Sequence, residues 1–488
     1  MTLLALLLPA CAPPTPAPGA RSPNVLLVSM DTVRADRTSF GDGAAAPRDT
    51  TPNLAALAML GARWSAAYAV ANESLTSHAA LFTGRYPSEI AIPDYASFAL
   101  PDTAPTLAGA LTAYGYRTAA FTGGGHVVAA FGFDTGFDHF ESVEGDRFGS
   151  FFDTVPPARA WIREQGDAPW FAFVHGYDVH EPYVQRGPMG HVWGREGATE
   201  RVEALLADPL AVEQVRGRTW YPERTPRDFT HAVGRSILGT DFYRAPADGE
   251  GDAAAGERTE RLTDAEVAHL RDHYDAGLTY ADVWLGVLLA GVDLSDTLVI
   301  VVSDHGEDLL DHGYTNHRAG LWDSTLHVPL VVAGPGFTGG AVHTGRVDLR
   351  SVLPTALRAA GAALPAGVTA PALQDDPDAP VLFAEGVMDE VSAWDGAARL
   401  TLHDARLAVG GPDLATRPFD DGRASLQVGS DRTERMFTAD GVTEAERLRA
   451  RIVAWRTGIM PATTTGAPVP EALRAALQER GYWTPEAP

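Results

Sequence analysis

Short apolar runs and longer mixed runs take turns along this chain. Val25–Ser29, Thr118–Phe121, Trp170–Val174, Leu298–Val302 and Pro329–Val332 are rich in β-branched or aromatic residues and close on polar ones, as strands buried on both faces do. Between them Thr51–Leu60, Ser77–Thr83, Pro105–Tyr114 and Thr263–Ala290 read as helices. The alternation predicts an α/β fold with a mostly parallel central sheet flanked by helices. From about residue 345 the rhythm changes: helices at Leu349–Ala360 and Ala445–Trp455 enclose short strand-like runs at Val381–Glu385, Ala398–Leu402 and Ala405–Gly410. That predicts a smaller C-terminal antiparallel-sheet subdomain over 346–488, after a main domain over 24–345. Residues 186–262 lack strong periodicity and read as an insertion that covers the site and sets specificity. No clear internal repeat is present.

Chemistry-bearing residues collect at the ends of these strands. Asp31 closes the first apolar run and Asp304-His305 close another. In open α/β sheets the ligand site lies beyond the carboxyl ends of the strands, so two acids at two strand ends can meet. One imidazole with two or three oxygens suits Ca, Mg, Mn or Zn, and sequence alone does not choose among them. A third strand ends in His175, Asp178 and His180. Ser74 stands before an Ala/Leu helix-forming run, where a hydroxyl can be presented as a nucleophile or can simply cap the helix.

Residues 74–87, SLTSHAALFTGRYP, resemble the sulfatase-family signature C/S-x-P-S-R-A-A-L-L-T-G-R-Y-P. The match covers Ser77, Ala79, Ala80, Thr83, Gly84, Arg85, Tyr86 and Pro87, and it puts Ser74 at the nucleophile position. In that family the residue is oxidised to formylglycine by a maturase; in sister members of the alkaline-phosphatase superfamily it is an unmodified Ser or Thr. Two departures bear on this, Thr76 in place of Pro or Ala and His78 in place of Arg. The segments Asp31-Thr-Val-Arg-Ala-Asp36 and Ser303 to Glu307 are similar to those of the Asp-Thr and Asp-His branch, which implies one divalent cation on Asp31, Asp304 and His305. Residues 171–183 resemble F-x-H-x-x-D-P-H-x-P-Y, which implies His180 as general acid, with His175 and Asp178 behind it. Residues 315–329 imply that His317, with Arg318 beside it, binds anionic oxygens. Residues 115–126 keep half of G-Y-x-T-A…G-K-W-H, with His126 in place of the missing Lys pattern. The resemblance thus names Ser74, His78, His180 and His317 as catalytic and Arg318 and His126 as substrate-binding.

Each residue also has a plainer reading. Asp36 is a turn residue or a partner for Arg34. His126, His175 and His312 can be structural, Gly123–Gly125 can be a flexible turn, and Glu307 and Asp308 can be solvated or supporting. The ordered recurrence of five segments favours a metal-dependent sulfuric ester hydrolase. A phosphate or phosphonate ester hydrolase, a phospho-headgroup transferase and a catalytically silent binding protein are the alternatives.

Composition narrows partners and place. With 488 residues and 45% hydrophobic content the chain can bury a large core. The net charge of −25 argues against nucleic acid or an anionic bilayer as the main partner. All 38 basic residues are Arg, so every Lys of the family site is replaced or absent. Arg and His remain competent to bind oxyanions. The single cysteine, Cys11, ends Leu-Leu-Leu-Pro-Ala-Cys and precedes a Pro-rich stretch, which resembles a bacterial lipobox and tether over residues 1–23. The expectation is a cell-envelope protein, periplasmic or held to the membrane only through a lipid at Cys11. One cysteine allows no intramolecular disulfide.

Overall fold

The computed structural model describes residues 22–41, 48–90, 99–101, 104–144, 148–181, 183, 192–193, 264–309, 311, 315–317, 320–386, 390–396, 398–402, 424–428 and 439–458. The tether, Cys11, His312, Arg318 and the insertion apart from residues 192–193 lie outside them.

Eight strands make the central sheet: β1 Asn24–Met30, β2 Ala62–Trp64, β3 Arg117–Thr122, β4 His139–Ser142, β5 Trp170–Gly176, β6 Thr297–Val302, β7 Leu330–Ala333 and β8 Ala341–His343. Their order is β8-β2-β7-β6-β1-β5-β3-β4. β7 alone runs against its neighbours; the other pairings are parallel. β1, β5 and β6 are buried at every residue because both faces are covered. Their side chains alternate. Val25, Leu27, Phe171, Phe173, Leu298 and Ile300 enter one core, and Leu26, Val28, Ala172, Val174, Val299 and Val301 enter the other.

Helices close both faces. α1 Pro52–Leu60, α4 Phe151–Glu164 and α5 Asp264–Leu289 supply Leu54, Val155, Leu278 and Leu285 to the second core. The first core receives Leu75, Leu81 and Phe82 from α2 Ser74–Thr83, Leu111 from α3 Leu107–Ala113, and Leu353 and Leu357 from the helix Val352–Ala360, α7, which follows the single turn α6 Asp323–Leu326. Truncating any of these buried leucines to Ala would cost about 2–5 kcal/mol.

A separate antiparallel sheet follows, ordered β9 Leu382–Gly386, β10 Glu390–Trp394, β11 Ala398–Leu402, β12 Ala424–Val428, with α8 Ala439–Gly458 packed on it through Ala445, Leu448 and Ile452. The α/β sheet and the antiparallel sheet agree with the sequence reading. β10 was not legible because Glu390 and Ser392 interrupt its apolar residues, yet the whole strand is buried. β2, β4 and β8 are three or four residues long, with exposed positions in β4 and β8, too short to show a period. The strand expected at Ala405–Gly410 lies outside the described residues.

Candidate functional site

The parallel register brings β1 and β6 to an end side by side, with Ser29 opposite Val302. Asp31 follows β1, and Ser303-Asp304-His305 follow β6. Thr32 then takes φ 59°, a left-handed conformation disfavoured for a β-branched residue. Neighbouring groups hold the turn: Thr32 N–H donates to Asp304 Oδ1 (3.3 Å), Val33 N–H to Ser303 Oγ (2.7 Å), and Tyr274 of α5 donates from its hydroxyl to the Thr32 carbonyl (2.7 Å). The strained turn aims the Asp31 carboxylate across the strand ends.

Asp31, Asp304 and His305 each place a ligand atom within 4.8 Å of the others, all fully buried. His305 Nδ1–H donates to the Gly306 carbonyl (2.9 Å), which leaves the Nε2 lone pair turned inward. Asp31 Oδ1 and Asp304 Oδ2 are buried yet accept no hydrogen bond. Burial, with the facing Asp304 carboxylate, pushes the Asp31 carboxyl well above the usual carboxylate range. Asp304 itself is held down, against its own burial, to about 2, chiefly by His305. Two crowded carboxylates with bare oxygens and an oriented imidazole fit a divalent cation with mixed oxygen and nitrogen ligands.

Ser74 opens α2, and its Oγ lies 3.3 Å from both Asp31 Oδ2 and His305 Nε2. It is not the cap. Glu73 occupies that position with φ −157° and accepts the Leu75 N–H (3.2 Å), which corrects the plainer reading of Ser74. The first turn is fastened to the strands beneath it. Ser77 Oγ donates to the Asp304 carbonyl (2.6 Å). His78 donates from Nδ1 to the Ser74 carbonyl (2.8 Å) and accepts from Ser29 Oγ at Nε2 (2.9 Å). Burial pushes His78 toward its neutral form, and the side chain is fully buried beside Ser74.

The remaining histidines surround this core. His175 accepts the Gly123 N–H at Nδ1 (3.3 Å) and donates from Nε2 to Asp31 Oδ2 (3.1 Å); burial keeps it neutral. His180 donates Nδ1–H to the Glu181 carbonyl (2.7 Å), so Nε2 is its remaining nitrogen. Its ring lies 5.3 Å from that of His317, which in turn lies 4.2 Å from that of His305. His317 Nδ1 is 3.3 Å from Glu307 Oε1, and His126 Nδ1 is 3.1 Å from Glu73 Oε1. Arg318 and His312 lie outside the described residues.

Other expectations gain detail. Asp178, expected behind His180, accepts the Phe151 N–H at the start of α4 (2.8 Å). Glu307 and Asp308 are fully buried, not solvated, and Asp308 accepts from Ser324 Oγ (3.0 Å). Asp36 pairs with Arg34 (2.8 Å). At Gly125, φ +62°, a Cβ would meet the Tyr177 hydroxyl at 2.6 Å and Phe148 at 2.7 Å, so the glycine turn serves packing as well as flexibility. Glu73, Ser29, Ser77 and Tyr274 were missed. Glu ranks low among capping residues, and the other three act across the sheet, where sequence spacing carries no signal.

Known proteins share this arrangement of elements. Arylsulfatase K of Xenopus laevis is 25% identical over 223 residues, 44% of this chain and 37% of that protein, so the chain spans little more than a third of this relative's length. The phosphonate monoester hydrolase of Silicibacter pomeroyi superposes with a TM-score of 0.64 at 18% identity, covering 90% of this chain and 96% of that one. A structure holding its substrate D-glucosamine-2-N,6-O-disulfate superposes with a TM-score of 0.64 at 16% identity, covering 90% and 99%. The family model for sulfatases matches residues 23–362, well over half of the sequence, and the chain belongs to the sulfatase family.

Proposed function

We propose that this protein is a metal-dependent hydrolase of anionic esters, acting on a sulfate monoester with residue 74, Ser74 oxidised to formylglycine and hydrated, as its nucleophile. One observation carries the reading: the Ser74 hydroxyl sits 3.3 Å from both an Asp31 oxygen and the inward nitrogen of His305. A divalent cation on Asp31, Asp304 and His305 would supply Lewis-acid polarisation of the ester and favour ionisation of the attacking hydroxyl of residue 74. One hydroxyl of the hydrate attacks in line as the bond to the leaving alcohol breaks, and the other then expels the sulfate as the aldehyde re-forms. His180, steered by its bond to the Glu181 carbonyl, delivers a proton from Nε2 to the departing oxygen. His317, seated between His305 and His180, contacts the equatorial oxygens. His175 and His78 keep Asp31 and the first turn of α2 in place.

Thr76 and His78 support a second reading within the same class, since they replace the Pro or Ala and the Arg that favour oxidation of the nucleophile to formylglycine. An unmodified Ser74 would form a phosphoseryl intermediate that water cleaves at phosphorus, whereas a sulfated Ser has no hydrate hydroxyl to expel its sulfate. Phosphate and phosphonate esters would then turn over faster than sulfates. Assays on aryl sulfate, phosphate and phosphonate esters, paired with the intact mass of the Ser74 peptide, decide between the two. A loss of about two mass units at Ser74 with sulfate turnover selects the first reading; full mass with phosphoester turnover selects the second. No turnover by wild type, or retained turnover in Ser74→Ala, overturns both. An acceptor alcohol in the assay reveals transfer in place of hydrolysis.

A further inference from the structure

Glu73 is an unusual residue to find capping the helix that carries a nucleophile. Ser, Thr, Asp and Asn cap better, and a completely buried carboxylate beside the seat of an anionic substrate is electrostatically adverse. The helix N-terminus offsets part of that cost, but it would do so for a shorter acid as well. What the longer arm adds is reach. One carboxylate oxygen, Oε2, accepts the Leu75 N–H at 3.2 Å, while the other, Oε1, lies 3.1 Å from His126 Nδ1.

His126 is seated with equal care. Its backbone N–H donates to the Tyr177 hydroxyl (3.2 Å), which donates to the Gly124 carbonyl (3.2 Å), and Gly124 and Gly125 take positive φ to make the turn. Tyr177 packs edge-on against His175, the residue that holds Asp31. Among the other imidazoles, His78 is bonded at both nitrogens, as is His175, and His305 belongs to the cation set. The chain has no Lys.

We infer that Glu73 is a positioning residue, which caps α2 and also holds His126 with Nδ1–H on the carboxylate and its Nε2 edge toward an ester bound at Ser74. This rests on the reading of Ser74 as nucleophile. Held this way, His126 gives the site a polar contact to the ester oxygens that no Lys supplies.

Glu73→Asp separates the two roles, because Asp caps a helix well but is one methylene short of His126. The expected result is an unchanged melting temperature and metal content, with kcat/KM for 4-nitrophenyl phosphate or sulfate lower by on the order of tenfold or more. Adding His126→Gln should then cost little further, since the pair acts as a unit. Long-range proton–nitrogen NMR of His126 should show a proton-bearing Nδ1 in wild type and its loss in Glu73→Asp. Wild-type kcat/KM in Glu73→Asp, multiplying losses in the double variant, or an unchanged His126 spectrum would overturn the inference. Should Glu73→Asp prove less stable, Glu73→Gln keeps the length and removes the charge, and kcat/KM must fall there too. If wild type cleaves neither ester, the nucleophile reading fails and the NMR result alone decides the role of Glu73.

Discussion

Asp31 and Asp304 show what a buried carboxylate costs when nothing neutralises it. Each has an oxygen without a hydrogen bond; burial and then the facing Asp304 carboxylate push the Asp31 carboxyl upward, while His305 draws Asp304 down. A cation is the partner that resolves this arrangement, so Asp304→Ala should abolish stoichiometric metal binding. Ester hydrolysis should fall by on the order of a thousandfold or more, as expected for loss of an essential Lewis acid. The metal-free variant should melt somewhat lower than metal-free wild type while still folding, because the substitution also removes the acceptor of the Thr32 N–H. Elemental analysis beside thermal melting checks this, and full metal occupancy in Asp304→Ala would take the residue out of the set. At this scale the sequence was informative about identity and silent about pairing. Asp31, Asp304 and His305 could be named as strand-end residues, but Tyr274 and Ser303, which hold the strained Thr32 turn, act from segments about 240 and 270 residues away.

Among the elements, α2 is braced from both sides. Ser77 and His78 tie its first turn to the strand ends, and beyond its last turn Arg350 lies over the Tyr86 ring and bonds its hydroxyl (2.8 Å). The C-terminal sheet adds a clamp: Glu385 of β9 donates its backbone N–H to the Val70 carbonyl (2.8 Å) and accepts the Ser88 N–H on its carboxylate (2.9 Å). Burial raises the Glu385 carboxyl from 4.5 to about 7, with Ser88 opposing and Glu89 adding to the shift. The folded state therefore binds more protons than the unfolded chain between those values, and the contribution of this group is fully present below about 4.5 and lost as pH rises toward 7. At most this amounts to about 3 kcal/mol. Glu385→Gln should accordingly match wild type near pH 5 and exceed it in melting temperature near pH 8. Parallel melting curves across that range would show that the carboxyl titrates normally. The signature helix was readable from its sequence, whereas its clamp was not, because Glu385 reads as an ordinary polar end to a short strand.

For the whole molecule, the cation set, Ser74, His180 and His317 gather where β1, β5 and β6 end, and residue 22, where the described chain begins, leads into the opposite end of β1. Among the described residues no helix is long and apolar enough to cross a membrane. The lipobox-like Leu-Leu-Leu-Pro-Ala-Cys11 therefore yields a separate prediction for protein made with its leader in a bacterial host. Wild type should partition into detergent, and Cys11→Ser should shift it to the aqueous phase, since the acyl chains on that one residue are the proposed anchor. Identical partitioning of the two proteins would remove the anchor.

By itself the sequence determined the α/β class, the change of rhythm near residue 345, the signature helix and the acids at the strand ends, because strand and helix periods, strand-end acids and a local motif are all written in neighbouring residues. The order of the strands, the reversal of β7, the cap at Glu73, the neutral tautomers of His78 and His175 and the closeness of the His305, His317 and His180 rings were decided only by the tertiary structure. These depend on contacts between segments tens to hundreds of residues apart, and on burial, which changes the proton affinity of a side chain without leaving any mark in the chain around it.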